Sequence, residues 1–159
     1  MDTIIAWLAN YLLWAMAAAA VVQGFLRERA SARINAAACA AVGLGLTLVF
    51  IMIAAKLHTD PRPFVQNPNL HPLIAHSADN GFPSDHSAAA GLIAMLVTMR
   101  DRFFGAILWV AALVVAAARM AAHVHHLQDV VAGLAIGAAA AVIAAALVRV
   151  AATRVAALR

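Results

Sequence analysis

Charged residues make up only 11% of this 159-residue chain, against 65% hydrophobic. A soluble domain carries about 25% charged residues, so an ordinary water-soluble globule is excluded. The single cysteine, Cys39, excludes an intramolecular disulfide. No face interleaves basic residues with aromatics, so the net charge of +4 does not mark a nucleic-acid partner. No basic leader precedes the first apolar run, which is also too long for a cleavable signal peptide. Proline is missing everywhere except residues 61–83, where all five fall.

What is there is a set of long uncharged runs: residues 3–26, 34–55, 86–99, 103–118 and 130–148. About 20 apolar residues cross a bilayer as a helix. The first, second and fifth runs suffice alone, and the third and fourth span if their polar ends dip into the interface. The expected fold is therefore all-α: one domain over residues 1–159, a bundle of about five transmembrane helices with a proline-rich external loop at residues 57–83. That loop is too long for a simple connection and reads as a lid. Gly133 and Gly137 form a small-xxx-small pair suited to close helix packing. Trp7, Tyr11, Trp14 and Trp109 read as interfacial anchors.

Eight of the eleven Lys and Arg lie at residues 27–33, at 100–102 and in the C-terminal tail. With five crossings these fall on one side, the cytoplasmic side by the positive-inside rule. The other three cations, Lys56, Arg62 and Arg119, lie on the opposite face with all seven histidines. Three clusters meet there: residues 56–63, 81–87 and 119–129. Cations at the ends of apolar helices are costly without partners and mark a functional site. Three of them with hydrogen-bond donors imply a multiply charged anion, with phosphate the obvious candidate. Ser84 opens the third helix, so the amides of Asp85 and His86 can point at such an anion.

These blocks resemble the three-part signature of the type 2 phosphatidic acid phosphatase superfamily: Lys56 with Arg62-Pro63, then Pro83-Ser84-Asp85-His86, then Arg119, His125 and Asp129. Five residues separate Arg119 from His125 and three separate His125 from Asp129, as the family pattern asks. The Asp85 form of the second block most resembles bacterial undecaprenyl-diphosphate phosphatases of the bacitracin-resistance type. Three features depart from the pattern: five residues separate Lys56 from Arg62 instead of six, Ala118 replaces a serine, and five crossings replace six.

The resemblance implies a metal-independent lipid phosphatase with no cofactor, acting at the outer face of a bacterial plasma membrane with its C-terminus inside. His125 is then the nucleophile, Asp129 its orienting partner and His86 the acid and base. Lys56, Arg62, Ser84, Asp85 and Arg119 hold phosphate. The substrate is expected to be a polyprenyl (undecaprenyl) diphosphate, linking the chain to cell-wall biogenesis and bacitracin resistance. The alternative is a glycerolipid phosphate, phosphatidic acid or phosphatidylglycerol phosphate. Expected partners are the lipid substrate and the bilayer, with no nucleic acid; a homo-oligomer is compatible with the sequence. A rival from another class makes His86, His123, His125, His126 and Asp129 ligands of a metal in a small binding protein or transporter. Three converging cations repel a metal, and the uncharged runs carry no midplane ionisable groups.

Overall fold

A computed structural model describes residues 1–157 as helices joined by one structured loop. The runs become α1 (Asp2–Arg27), α2 (Ala30–Leu57), α4 (Asp85–Thr98), α5 (Arg102–Ala121) and α6 (Leu127–Ala157), with a one-turn helix, α3 (Pro63–Gln66), inside the loop. α1, α2, α5 and α6 are long and apolar enough to cross a bilayer. Their uncovered faces carry Trp7, Tyr11, Trp14, Leu48, Met52 and Val110, as lipid contact requires. The chain is a multi-pass helical membrane protein.

The fifth expected crossing is the exception. α4 has 14 residues, about 21 Å at 1.5 Å per residue, and sits at the centre of the bundle with α6, α5, α2 and α1 around it. Its start is set from below the loop: the Ser84 N–H donates to the Asp129 carbonyl at 3.0 Å, tying the N-terminus of α4 to that of α6. A helix surrounded by protein has no need to match the full apolar thickness, because its polar ends meet partners rather than lipid.

α4 and α6 approach with almost nothing between their backbones. A Cβ at Gly91 would stand 2.5 Å from the Leu134 carbonyl oxygen, and one at Gly133 2.5 Å from that of Ser84. One at Gly137 would fall on the Ala88 carbonyl. The small-residue pair of α6 therefore packs within the chain, against α4.

The two ends of the bundle differ in chemistry. At one end, Asp101 caps α5 by accepting from the Phe104 N–H at 3.0 Å and also accepts from Arg27 at 3.0 Å. Arg100 pairs with Glu28 beside it at 2.6 Å. The basic segments at 27–33 and 100–102 thus share one end, and the loop of residues 57–83 covers the other. Ile74 in that loop is buried with Ala9, Ala118, Ala122 and Val124, and the Leu73 N–H donates to the Ala122 carbonyl at 3.1 Å.

Candidate active site

The turn between α5 and α6 brings Arg119 and His125 together by a defined piece of helix chemistry. After Ala121 the chain passes through Ala122 to His123, which takes a left-handed conformation with φ 62°. The His123 N–H donates to the Met120 carbonyl at 2.9 Å and the Val124 N–H to that of Arg119 at 3.3 Å. These are the two bonds of a Schellman motif, which satisfies the last carbonyls of a helix while reversing the chain. α6 then begins with His126 as its cap. Asp129, in the first turn, reaches back so that Oδ2 accepts the His126 N–H at 2.8 Å, the reciprocal half of a capping box. The same oxygen lies 3.4 Å from His125 Nδ1.

The nearer partner of His125 is a backbone group. Nδ1 lies 2.9 Å from the Gly81 carbonyl oxygen, which can only accept. Nδ1 therefore carries the proton, and Nε2 is the unprotonated nitrogen. Gly81 is placed by residues of the loop. Its N–H donates to the Asp60 carbonyl at 2.8 Å, beside an isolated antiparallel bridge between Pro61 and Asn80. The Asn80 side chain accepts from the Asp60 and Phe82 amides at 2.9 and 3.0 Å and donates to the Ala55 and His58 carbonyls at 3.3 and 3.1 Å. One side chain thus fastens the end of α2 to the residues before α4.

A cavity of about 310 Å³ opens over His125, and Arg62, His76, Asp79, Asp85, His86 and Arg119 also line it. Arg62 is buried and well partnered: its Nη1 donates to the Val124 carbonyl at 2.8 Å, its Nε to Asp79 at 2.9 Å, and Nη1 stands 3.4 Å from His125 Nε2. Arg119 is the opposite case. It is 2% exposed, its Nη1 has one hydrogen bond, to the Ala9 carbonyl at 3.4 Å, and Nε has no partner among the described residues. A buried guanidinium with unfilled donors beside a cavity is a cation prepared for an anion.

Behind His125 lies a carboxylate cluster. Asp60 Oδ2 accepts from His126 Nδ1 at 2.6 Å and from Gln128 at 2.7 Å. Burial pushes this carboxyl up, but the bonds from Gln128 and His126 and the His126 charge outweigh it and hold it below the usual range. Asp60, His126 and Asp129 are also close enough to hold a metal ion. Of the five residues in the metal alternative, only His126 and Asp129 fall in this group. Its short bonds already link Asp60 to the loop and to α6, which is a positioning role.

The structure brings Arg62, Asp85, His86, Arg119 and His125 to one cavity, with Asp129 behind His125. Ser84 and Lys56 are not on that cavity. Ser84 is buried and caps α4, accepting from the Ser87 N–H at 3.5 Å. Lys56 is exposed, while Ala55 lines the cavity. Successive helix residues point about 100° apart, so the spacing one residue short of the family pattern turns the lysine away and leaves alanine in its place. The sequence reading missed Asp60, Asp79, Asn80 and the Gly81 carbonyl. Asp60 and Asn80 had a signal in their proximity to Arg62 and Gly81; a backbone carbonyl has none.

Gly81 supplies a local test. A Cβ there would stand 3.0 Å from the Asp60 carbonyl, 3.2 Å from Asp129 Oδ2 and 3.4 Å from Arg62 Cγ. Gly81→Ala is expected to displace the carbonyl that holds His125 and to lower kcat by roughly 10- to 100-fold, the scale of a misplaced catalytic group. Full activity with an unchanged pH profile would show that the carbonyl does not position the ring.

The chain is 31% identical over 137 residues to the bacitracin transport permease protein BcrC of Bacillus licheniformis, covering 86% of this chain and 66% of that protein. It is 34% identical over 89 residues to the undecaprenyl-diphosphatase BcrC of Bacillus subtilis, covering 56% and 46%. The putative undecaprenyl-diphosphatase YbjG of Escherichia coli is 33% identical over 98 residues, covering 61% and 49%. The matches thus span about half to two thirds of the relatives' own lengths. The crystal structure of Aquifex aeolicus LpxE has the same fold, with a TM-score of 0.70 at 23% identity, over 90% of this chain and 82% of that one. A family model described as the PAP2 superfamily matches residues 36–153. That stretch contains α4, α5, the loop and every residue lining the cavity, and on it the chain belongs to the PAP2 superfamily.

Proposed function

We propose that this protein is a lipid phosphatase that hydrolyses a polyprenyl diphosphate, of the undecaprenyl type, to the monophosphate. The observation that carries the reading is the pairing of the buried, under-partnered Arg119 with the unprotonated Nε2 of His125 across one cavity. His125 Nε2 attacks the terminal phosphorus. An N–P bond forms, the bond to the bridging oxygen breaks, and the electron pair leaves on that oxygen, with His86 as proton donor. His86 then takes a proton from water, which attacks the phosphohistidine, breaks the N–P bond and releases inorganic phosphate. Arg62, Arg119 and the first amides of α4 balance the charge on the equatorial oxygens.

Two features support a lipid as the substrate. The half-exposed face of α4 runs through His86, Ala89, Ile93 and Leu96. It leads from the phosphate cavity to a second cavity of about 360 Å³, lined mainly by apolar residues of α1, α2 and α4. The relatives named as undecaprenyl-diphosphatases point to the same substrate class. The basic segments lie at the end of the bundle away from the site, which favours a site facing outside and a cytoplasmic C-terminus.

The test is phosphate release by the purified protein from prenyl diphosphates and from glycerolipid phosphates in one detergent. Release from the prenyl diphosphate is expected to persist in excess chelator and to be inhibited by vanadate. A kcat/KM tenfold higher on the glycerolipid, about 1.4 kcal/mol in transition-state binding, overturns the prenyl assignment. Activity that disappears with chelator and returns with a divalent ion overturns the metal-free mechanism.

A further inference from the structure

Three histidines line the cavity, His76, His86 and His125, and the chemistry above uses only two. The third is in the loop, and its position is built. On one side of it, Ile74 is buried against Ala9, Ala118, Ala122 and Val124. On the other side, Asp79 pairs with the buried Arg62 at 2.8 Å and accepts from the Ser77 hydroxyl at 2.8 Å. Burial raises the Asp79 carboxyl, but these bonds and the Arg62 charge outweigh that and keep it ionised at neutral pH. The loop between Ile74 and Asp79 is thus fastened at both ends, and His76 stands in it over the nucleophile. Its ring centroid is 6.0 Å from that of His125, with the planes at 81°.

His76 also carries unmet hydrogen-bonding capacity. Nδ1 is buried without a partner among the described residues. A buried polar group left unpaired costs about 1–3 kcal/mol, and beside a cavity a ligand oxygen is one partner that would remove that cost. Burial and the charges of Arg62, Arg119 and His125 lower the affinity of the ring for a proton. His76 is therefore neutral near pH 7, with one donor and one acceptor nitrogen. A neutral donor binds a phosphate oxygen without adding a third full positive charge to a site that already holds two arginines.

We infer that His76 is a specificity-determining residue that hydrogen-bonds the second phosphate group of a diphosphate substrate, the group that His125 does not attack. This rests on the phosphatase reading above and adds what that reading lacks, a reason for a diphosphate to be preferred over a monoester. When the bridging P–O bond breaks, its electron pair stays on the departing lipid phosphate. His86 supplies the proton to that bridging oxygen, and the His76 N–H bonds another oxygen of the same departing phosphate. A phosphate monoester leaves as an alcohol and presents no group at that position.

The experiment compares wild type with His76→Ala, His76→Asn and His76→Gln on a prenyl diphosphate and on the matching prenyl monophosphate. The two amides place an N–H near one or the other ring nitrogen. His76→Ala is expected to lose tenfold or more in kcat/KM on the diphosphate and less than threefold on the monophosphate. One of the two amide variants is expected to recover most of the diphosphate loss. Equal losses on both substrates, no loss on either, or loss that neither amide restores would overturn the inference. The wild-type arm keeps the readings separate: if the wild type releases phosphate from neither substrate, the phosphatase reading fails. If it cleaves the diphosphate and His76→Ala does so equally well, only the role of His76 fails.

Discussion

His125→Ala is expected to abolish turnover, with kcat down by roughly 10⁴-fold or more, the scale seen when a nucleophile is removed from a preorganised site. The basis is geometric. Of the histidines in the second and third sequence blocks (His86, His123, His125 and His126), only His125 combines a proton fixed on Nδ1 by a carbonyl with an unprotonated Nε2 facing Arg62. His126 uses its Nδ1 to reach Asp60 at 2.6 Å. His123 turns toward the loop, with Nδ1 3.1 Å from the His71 carbonyl oxygen. His123→Gly is the matching control. It relieves a left-handed backbone position that glycine adopts freely, and most of the activity should remain. Phosphate release by both variants under one condition decides the matter. A dead His123→Gly protein beside an active His125→Ala protein would show that the catalytic histidine has been misassigned.

The second large effect is expected at the α4–α6 contact. Gly137→Ala puts a methyl group onto the Ala88 carbonyl and 2.6 Å from the Leu92 nitrogen. The obstacle is helix backbone, which cannot rotate away as a side chain can, so the two helices must separate. Overpacking of this kind costs about 1–3 kcal/mol, or roughly 2–12 °C in unfolding midpoint for a chain of this size. Activity should fall further than stability, because α4 carries His86 and α6 carries Asp129, and the gap between them sets the site. Gly45→Ala is the control, since a Cβ there meets nothing within 4 Å. A Gly137→Ala protein with the midpoint and kcat of the wild type would remove the close contact from the account of the site.

Much of this arrangement was legible in the sequence because it follows from spacing along helices. Arg119, His125 and Asp129 could be read together because a helix end, a turn and a helix start fix their separations. Arg62 and His86 could be placed because alternating helices bring the ends of α2 and α5 to the starts of α4 and α6. Lys56 was harder, since a difference of one residue in spacing is small in sequence and about 100° in direction on a helix. Ser84 was read both as a cap and as a phosphate contact, and in the structure its hydroxyl serves the cap. The short run of α4 spans only if its polar ends dip into the interface, and the sequence does not show that other helices enclose it, because apolar composition does not distinguish a helix in lipid from one enclosed by other helices. Asp60 and Asn80 stand beside residues that the sequence singles out, but the bonds they make, like the Gly81 carbonyl, were not legible. They arise where irregular loop backbone folds against helix ends, and no periodicity describes such a path.

The turn between Arg119 and His125 has a consequence for how this protein can vary. Its two hydrogen bonds join residues a fixed number of peptide units apart, and the capping contact of Asp129 continues the same count into α6. Side-chain replacements at His123 leave that count intact. A residue inserted or deleted between 119 and 129 does not: it rotates everything after it by about 100° about the α6 axis, carrying Asp129 off His125 and Gly133 off the α4 backbone together. Within this segment, length is held more tightly than composition.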